Sequence, residues 1–339
     1  MMKTKPSISL LALTLFISFA AVVCPAPARA QVSASYLYHL SDFSGPVASL
    51  WARVAVDQTQ GEVYTLNRSD SVIQIFNDTA MQVFAYGEDL ALASSIDIAS
   101  AENGELFVLY RTPTATLRHL NFRGELIDEI KIVSTERGFQ DFNPEYVDYC
   151  NGSLYLADSE AMQIVVTSPS GEIQRSFDFR KQLEGQIKAE SKDSSLSNVQ
   201  RKRLWDKLAA LQGASLTGFS ADAKGNMYFT IAPLFSAFRA TPQAELVSFG
   251  TPGGAPGKFG VVASISADNL GNIFVSDRLR CVVLVFDKEF NFLTEFGYRG
   301  DKPSNLVVPD DIAIDERSGR VYVAQAANLG VSVFSIKYN

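Results

Sequence analysis

The sequence is poor in the residues that most often carry metal or acid-base chemistry. Its 339 residues include only two histidines and three cysteines. So few histidines leave little room for a His-based metal site or a His general base. Basic residues are also the minority, with 30 Lys and Arg against 37 Asp and Glu, whereas a general nucleic-acid binder needs a basic surface. We therefore expect no nucleic-acid partner.

Long apolar runs are confined to the first thirty residues. Two lysines precede an apolar run from Ile8 to Val23, and a small-residue cleavage motif ends at Ala30. This order is typical of a secretory signal peptide, and the run is shorter than the roughly 20 residues of a membrane span. An uncleaved anchor and a lipoprotein attached through Cys24 are the weaker alternatives. We expect residues 1–30 to be removed, leaving an exported, periplasmic or extracellular chain without a transmembrane segment.

Cysteine usage after that cleavage excludes a disulfide framework. Only Cys150 and Cys281 would remain. An exported domain that is stabilised by a disulfide framework has many more cysteines than two. We expect two separate, mostly buried thiols.

One phrase recurs six times along the rest of the chain. It consists of an alternating apolar stretch, a polar turn ending in glycine, and an apolar-aromatic pair, as in Asp268, Gly271 and Ile273-Phe274. The turn glycines are Gly61, Gly104, Gly152, Gly225, Gly271 and Gly319. The predicted strands of the fifth copy are Val261–Ala267, Asn272–Ser276, Val282–Phe286 and Phe292–Phe296. Four-stranded units of about 40–50 residues are typical of β-propeller blades.

The last copy ends early, which suggests how the ring closes. Its third strand, Val331–Phe334, is followed only by a short tail, whereas a spare strand stands at Tyr36–Leu40. A strand from the N-terminus would complete the sheet and remove exposed edges. We predict an all-β fold over residues 31–339, a six-bladed β-propeller closed by an N-terminal strand.

A segment at about 180–213 interrupts the β pattern between blades 3 and 4. It predicts two helices, the first from about Arg180 to Lys192. Ser197 and Gln200 form a candidate capping box for the second, which would end near Gly213. Eight basic and four acidic residues give this segment a net charge of +4. The residues predicted to share one buried helical face are Val199, Leu204, Leu208 and Leu211.

The best-preserved phrases resemble the NHL repeat. The resembling segments are Leu154–Asp158, Phe249–Phe259, Ile273–Asp277, Pro309–Asp315, Gly319–Ala324 and Val331–Phe334, with Asn328. Blades 2 and 4 depart from the pattern at Tyr110–Thr116 and Ile231–Ser236. The resemblance extends over residues 36–339 and implies a propeller. Such propellers serve as protein-binding, ligand-binding and occasionally catalytic scaffolds, so fold does not decide function.

Residues that enter the innermost strands are expected to line the mouth of a central channel. By alignment these pairs are Ala52-Arg53, Ser94-Ser95, Glu145-Tyr146, Thr217-Gly218, Ala263-Ser264 and Asp310-Asp311. The charged members, Arg53, Glu145, Asp310 and Asp311, are the candidate ligand-binding residues. Their carboxylates suit a calcium ion or a polar ligand. A water-filled channel with scattered charges is the alternative, and we expect no other cofactor.

The helical insertion supplies a candidate partner-binding surface. Insertions in repeat proteins lie on loops of one face, which is often the binding face. The candidate residues are Arg201, Arg203, Trp205, Leu234 and Phe235, and we expect Trp205 or Leu208 to pack near Leu234 and Phe235. A solvated hairpin packed by its leucines is the alternative.

Two functions remain open at this point. The first is an exported, non-enzymatic propeller, monomeric on its own, that binds a protein partner or a small polar ligand on the insert-bearing face. The second is a divalent-metal hydrolase, similar to a lactonase, that uses Glu145, Asp310 and Asp311 in the channel. A propeller of the amidating-lyase type is the other enzymatic relative; it is understood to use metal-bound histidines, whereas His39 and His119 are predicted to lie away from the channel mouth.

Overall fold

The computed structural model describes residues 32–42, 45–47, 51–87, 92–111, 115–132, 137–326 and 329–338. The predicted signal peptide lies outside these ranges, and so does Asn328 of the NHL-like phrase.

Six four-stranded antiparallel sheets contain nearly all strands of the described chain. The first strands of sheets 1 to 6 are β4 (Arg53–Val56), β8 (Ser95–Ser100), β12 (Tyr146–Cys150), β16 (Gly218–Ala221), β20 (Val262–Ala267) and β24 (Pro309–Asp315). The second strands are β5 (Val63–Asn67), β9 (Leu106–Arg111), β13 (Ser153–Asp158), β17 (Met227–Ile231), β21 (Ile273–Asp277) and β25 (Arg320–Gln325).

The outer half of each sheet follows the same order. The third strands are β6 (Val72–Phe76), β10 (Ala115–Leu120), β14 (Gln163–Thr167), β18 (Ser236–Ala240), β22 (Val282–Phe286) and β26 (Val331–Tyr338). The fourth strands are β7 (Gln82–Tyr86), β11 (Leu126–Lys131), β15 (Ile173–Asp178), β19 (Leu246–Phe249), β23 (Phe292–Gly297) and, in the sixth sheet, β1 (Val32–His39). A short hairpin, β2 (Ser41–Asp42) and β3 (Gly45–Pro46), lies apart from the six sheets.

The first strands contact one another in a closed cycle, from β4 through β8, β12, β16, β20 and β24 back to β4. They therefore surround a central channel, with one sheet extending outward from each. This arrangement confirms the six-bladed β-propeller, and sheets 1 to 6 are called blades 1 to 6 below.

The sixth blade combines strands from the two ends of the described chain. β1 pairs antiparallel with β26, from Val32 opposite Tyr338 to His39 opposite Ser332. The register is irregular between Tyr36 and Tyr38. Blade 6 thus has the order β1-β26-β25-β24.

The turns between first and second strands form as the repeat predicted. All six turn glycines have positive φ, between 64° and 88°. Glycine adopts this left-handed conformation without the steric cost that a Cβ brings. The preceding aspartate caps the turn in several blades; Asp57 Oδ1, for example, accepts hydrogen bonds from the backbone N–H groups of Thr59 and Gln60. The sixfold repeat is therefore a repeat of this turn.

The helical insertion also forms as predicted, as α1 (Phe179–Ser191) and α2 (Asn198–Gln212). Ser197 and Gln200 form the capping box of α2, and Gly213 ends it. No helix in the described ranges has the length and apolar character needed to cross a bilayer.

The insertion is part of the hydrophobic core. Leu183 and Ile187 of α1 and Leu208 and Leu211 of α2 are buried in one cluster with Phe229 of blade 4. Leucines at such spacings share one face of a helix. These leucines therefore fix the hairpin to blades 3 and 4.

Val199 does not join that buried face, contrary to the predicted pattern. Its side chain is 63% exposed. At roughly 100° per residue, Val199 points about 180° away from Leu208 on α2. The buried face is formed by Leu204, Leu208 and Leu211.

Arg180 anchors the end of the hairpin to the propeller. Its guanidinium donates to the carbonyl oxygens of Leu211 and Ala214, both at 2.7 Å, and to that of Glu160 at 2.5 Å. One side chain thus satisfies unpaired carbonyls near the C-terminus of α2 and joins them to the turn between the second and third strands of blade 3.

We predict that Leu211→Ala destabilises the whole propeller. Leu211 is fully buried between the hairpin and blade 4, and removing such a side chain leaves a cavity that costs about 2–5 kcal/mol. Urea unfolding monitored by circular dichroism measures this loss. Val199→Ala on the same helix is the control and should change stability by less than about 0.5 kcal/mol. Equal effects of the two substitutions would show that the hairpin is not part of the core.

Candidate functional site

A cavity of about 570 Å³ occupies the channel between the first strands. Its wall extends from Arg53 and Asp311 to the turns that follow the first strands. Residues at those turns, such as Gln58, Asn151 and Asn269, are exposed, so the cavity opens there. We call this side of the propeller the turn face. The helical insertion connects a fourth strand to the next first strand, so it lies on the opposite side, the insert-bearing face.

A buried ion cluster lies at the inner end of the cavity. Arg53 Nε lies 3.6 Å from Asp97 Oδ1, and Arg53 Nη1 lies 3.8 Å from Asp311 Oδ1. The guanidinium carbon also lies 5.2 Å from the centre of the Tyr146 ring. The Arg53 side chain is only 13% exposed. This cluster joins residues of blades 1, 2, 3 and 6.

The carboxylates of the channel also accept hydrogen bonds from backbone N–H groups at the free edges of the first strands. Asp311 accepts a hydrogen bond from the Val54 N–H at 2.9 Å, and Asp97 accepts one from the Val147 N–H at 2.8 Å. Nearer the turn face, Asp148 accepts one from the Ala221 N–H at 2.8 Å. In each blade the first strand is the innermost one and forms an edge of the sheet. Its channel-side N–H groups have no neighbouring strand to pair with, so they need such acceptors. These aspartates therefore join successive blades.

Burial shifts the ionisation of these groups. It raises the pKa of Asp97 to about 7, although the charge of Arg53 opposes the rise. Burial likewise raises the pKa of Asp148 to about 6. Nearer the turn face, burial and the charge of Asp268 raise the pKa of Glu316 to about 7. For Arg53, burial lowers the pKa, but Asp311 and Asp97 outweigh it and raise the pKa overall.

The four candidate ligand residues do not converge on one point. Arg53 and Asp311 line the cavity together. Glu145 pairs instead with Arg111 at 2.5 Å and accepts a hydrogen bond from Ser159. Asp310 pairs with Arg278, whose Nε lies 2.8 Å from its Oδ1. The three carboxylates of the predicted set thus pair with three different arginines.

Asp97 and Asp148 line the cavity, and the channel alignment missed both. The alignment assigned Ser95 to the ring position in blade 2. The register of β8 is irregular between Ser95 and Asp97, so Asp97 faces Leu109 where Arg53 faces Leu66 in blade 1. The signal in the sequence was an aspartate between Ile96 and Ile98 in a strand that is otherwise apolar.

The histidines lie away from the cavity. His119 Nε2 is 2.9 Å from Glu105 on the second and third strands of blade 2, and His39 Nδ1 is 3.1 Å from the Ser332 hydroxyl in blade 6. In the described part of the chain, no group of three His, Cys, Asp or Glu side chains is arranged to hold a metal ion.

Cys150 and Cys281, the cysteines within the described ranges, are separate free thiols, as expected. Cys281 is fully buried. Cys150 is less buried than expected, because it lines the cavity. Burial, together with the charge of Asp148, raises the pKa of the Cys150 thiol to about 12.

The candidate partner residues are distributed between packing and surface positions. Arg201 donates to the carbonyl oxygens of Asp193 and Leu196, so it stabilises the link between the helices. Arg203 and Trp205 are exposed on α2. α2 contacts the turn Ala232–Leu234, and Leu208 and Leu234 belong to one apolar cluster, which confirms the expected packing for Leu208.

Comparison with known proteins identifies the fold only. No protein-family model matches the sequence, and no curated protein matches it. The NHL resemblance therefore stays a prediction.

Several solved propellers superpose on this chain. A streptogramin B lyase has a TM-score of 0.58 at 10% identity, covering 91% of this chain and 98% of that one. Virginiamycin B lyase from Staphylococcus aureus has a TM-score of 0.53 at 11% identity, covering 91% and 99%. A gluconolactonase from Xanthomonas campestris has a TM-score of 0.56 at 12% identity, covering 91% and 90%. At such identities the likeness concerns the fold alone.

We predict that Arg53→Met destabilises the propeller more at pH 8 than at pH 5. Without the guanidinium, Asp97 and Asp311 become buried charges that lack a cation, a loss of about 3–5 kcal/mol. The folded-state pKa of Asp97 is about 7, against 3.8 as its ordinary value. Lowering the pH to 5 protonates that carboxyl in the folded state only, which relieves the repulsion.

Denaturant unfolding at both pH values measures the effect. Arg203→Met, on the exposed side of α2, is the matched control and should be close to wild type at each pH. A loss of the same size at pH 5 and pH 8 would contradict the role assigned to Arg53.

Proposed function

We propose that this chain is an exported, non-enzymatic propeller that binds a protein partner on its insert-bearing face. The observation that carries the proposal is where large apolar side chains are exposed. Among the described residues, eight lie on the insert-bearing face, two on the turn face, and the others on strands. The eight are Trp51, Val199, Trp205, Phe235, Val261, Leu279, Tyr298 and Leu329. An accumulation of exposed apolar surface on one side is typical of a protein interface.

The aromatic members of this set are suited to anchor a partner. Aromatic residues are enriched in the cores of interfaces because they bury a large area with few rotatable bonds. Trp51 also lies under the guanidinium of Arg278, 5.7 Å from its ring centre. A rigid ring beside a cation gives both apolar contact and hydrogen-bond donors to a partner.

Three aromatic residues of this surface have a left-handed backbone conformation. Trp51, Phe235 and Tyr298 have φ values of 55°, 50° and 60°. A bulky residue in the left-handed region is strained by about 1–3 kcal/mol, and such strain is concentrated at functional sites. Phe235 directly follows the turn that α2 contacts. The left-handed conformation of Phe235 recurs at Ser71, Met162 and Cys281 in the same turn of other blades, so the feature particular to Phe235 is its large exposed ring.

The alternative of a metal-dependent hydrolase has less support. It requires Glu145, Asp310 and Asp311 to share one ion, whereas each carboxylate is engaged with a different arginine. The superposed lyases and the gluconolactonase share only their fold with this chain, so their names do not indicate its activity. Lactone hydrolysis that needs a divalent metal and disappears in Glu145→Gln and Asp310→Asn would reverse this preference.

We predict that partner binding changes the intrinsic fluorescence of the protein. Trp51 and Trp205 are the two tryptophans of the chain, and they are 41% and 53% exposed on the proposed surface. A partner bound there should shift their emission to shorter wavelength. Trp51→Phe and Trp205→Phe assign the shift to one ring or both.

A photo-crosslinking residue at position 205 identifies the partner in envelope and culture fractions. The same probe at Phe84, which is equally exposed on β7, is the control. We expect crosslinking at 205 only, and about 30-fold weaker binding in Trp205→Ala, as for an anchor worth about 2 kcal/mol. Equal crosslinking at both positions, or full binding by Trp205→Ala with Phe235→Ala, would refute the proposal.

A further inference from the structure

Two polar side-chain atoms in the wall of the cavity that opens on the turn face have no hydrogen-bond partner. The hydroxyl of Ser220 lines the cavity without a hydrogen-bond partner, although Ser220 is only 8% exposed. Glu316 lines it nearer the opening, and its buried Oε2 also lacks a partner. Buried polar groups are nearly always paired, so these two atoms need an explanation. A ligand that donates hydrogen bonds would supply it.

The charge of the wall selects the sign of that ligand. Among the lining residues are Asp57, Asp97, Glu102, Asp148, Asp222, Asp311 and Glu316, against Arg53 and Arg317. Arg53 is already shared between Asp97 and Asp311. Above about pH 7, where Asp148 and Glu316 are ionised, the remainder of the wall is negative, and a concave wall of one sign concentrates the opposite charge from solution.

The shape of the cavity favours an organic cation. One step further from Arg53 along the channel, the equivalent positions of the first strands are Ala55, Ala99, Asp148, Ser220, Ser266 and Ala313. The small side chains leave room for a carbon chain, and Asp148 is the one carboxylate at that level. The volume, about 570 Å³, is in the range of small-molecule sites.

We propose that this cavity binds a small alkyl diamine in its ammonium form. One ammonium lies at the level of Asp148 and Ser220, and the other lies toward Glu316 near the opening. An ammonium group has three donors, which match carboxylate and hydroxyl acceptors. The alanines contact the carbon chain between them. This site is on the face opposite the proposed partner surface, so it does not depend on that proposal.

Titration calorimetry of the mature chain with 1,4-diaminobutane at low salt tests the proposal. We expect saturable binding of the diamine and none of 1,4-butanediol, its uncharged counterpart. Glu316→Gln and Ser220→Ala should each weaken binding at least tenfold. Ser220→Ala removes a hydroxyl that has no partner, and Glu316→Gln keeps the shape of the side chain while removing its charge, so folding should be unaffected. Glu289→Gln, on an exposed turn outside the cavity wall, is the matched control. No binding at millimolar diamine, equal binding of the diol, or unchanged binding in both cavity variants would overturn the proposal.

Cys150 gives a second measurement inside the cavity. We expect a cationic methanethiosulfonate reagent to modify it at least tenfold faster than an anionic one, and 1,4-diaminobutane to slow the reaction. Fully buried Cys281 is the internal control in mass spectrometry. Equal rates for the two reagents, or no protection by the diamine, would contradict an acidic, open cavity.

Discussion

The ring depends on one buried guanidinium. Arg53 of blade 1 faces Asp97 of blade 2 and Asp311 of blade 6, and it lies over Tyr146 of blade 3. Asp311 in turn accepts a hydrogen bond from Ser264 of blade 5. Five of the six blades therefore meet around one cation. Because removing a charge from water is costly, this cluster is stable only when the carboxylates are in register, so it favours one closed arrangement of the blades.

The same cluster separates the two faces of the molecule. It lies where the cavity wall ends, so the cavity is accessible from the turn face, while Glu145 and Asp310 pair with arginines nearer the insert-bearing face. The two faces consequently differ in chemistry. One is a narrow acidic opening, and the other is a broad surface with exposed rings. The protein partner and the small cation that we propose would therefore bind on opposite faces and would not compete.

The sequence predicted the elements of the fold well because each depends on local rules. A turn that requires glycine at positive φ repeats at Gly61 and its five equivalents, and the capping box of α2 lies within four residues. The site was harder to predict, since it depends on register. The register irregularity before Asp97 in β8 also precedes Asp311 in β24, and aligning Ser95 rather than Asp97 with Asp311 missed this equivalence. No local pattern could pair Glu145 with Arg111.

The exposed apolar residues distinguish the insert-bearing face from the turn face. The left-handed conformation recurs in the turn between the second and third strands, at Ser71, Met162, Phe235 and Cys281, but of these four only Phe235 is a large exposed side chain. Asparagine or glycine would relieve the strain and remove apolar surface from water. The protein tolerates this strain because the ring of blades is held together elsewhere, at the channel and in the core beneath α2. Stability concentrated at the axis thus permits a rim whose residues suit binding rather than folding.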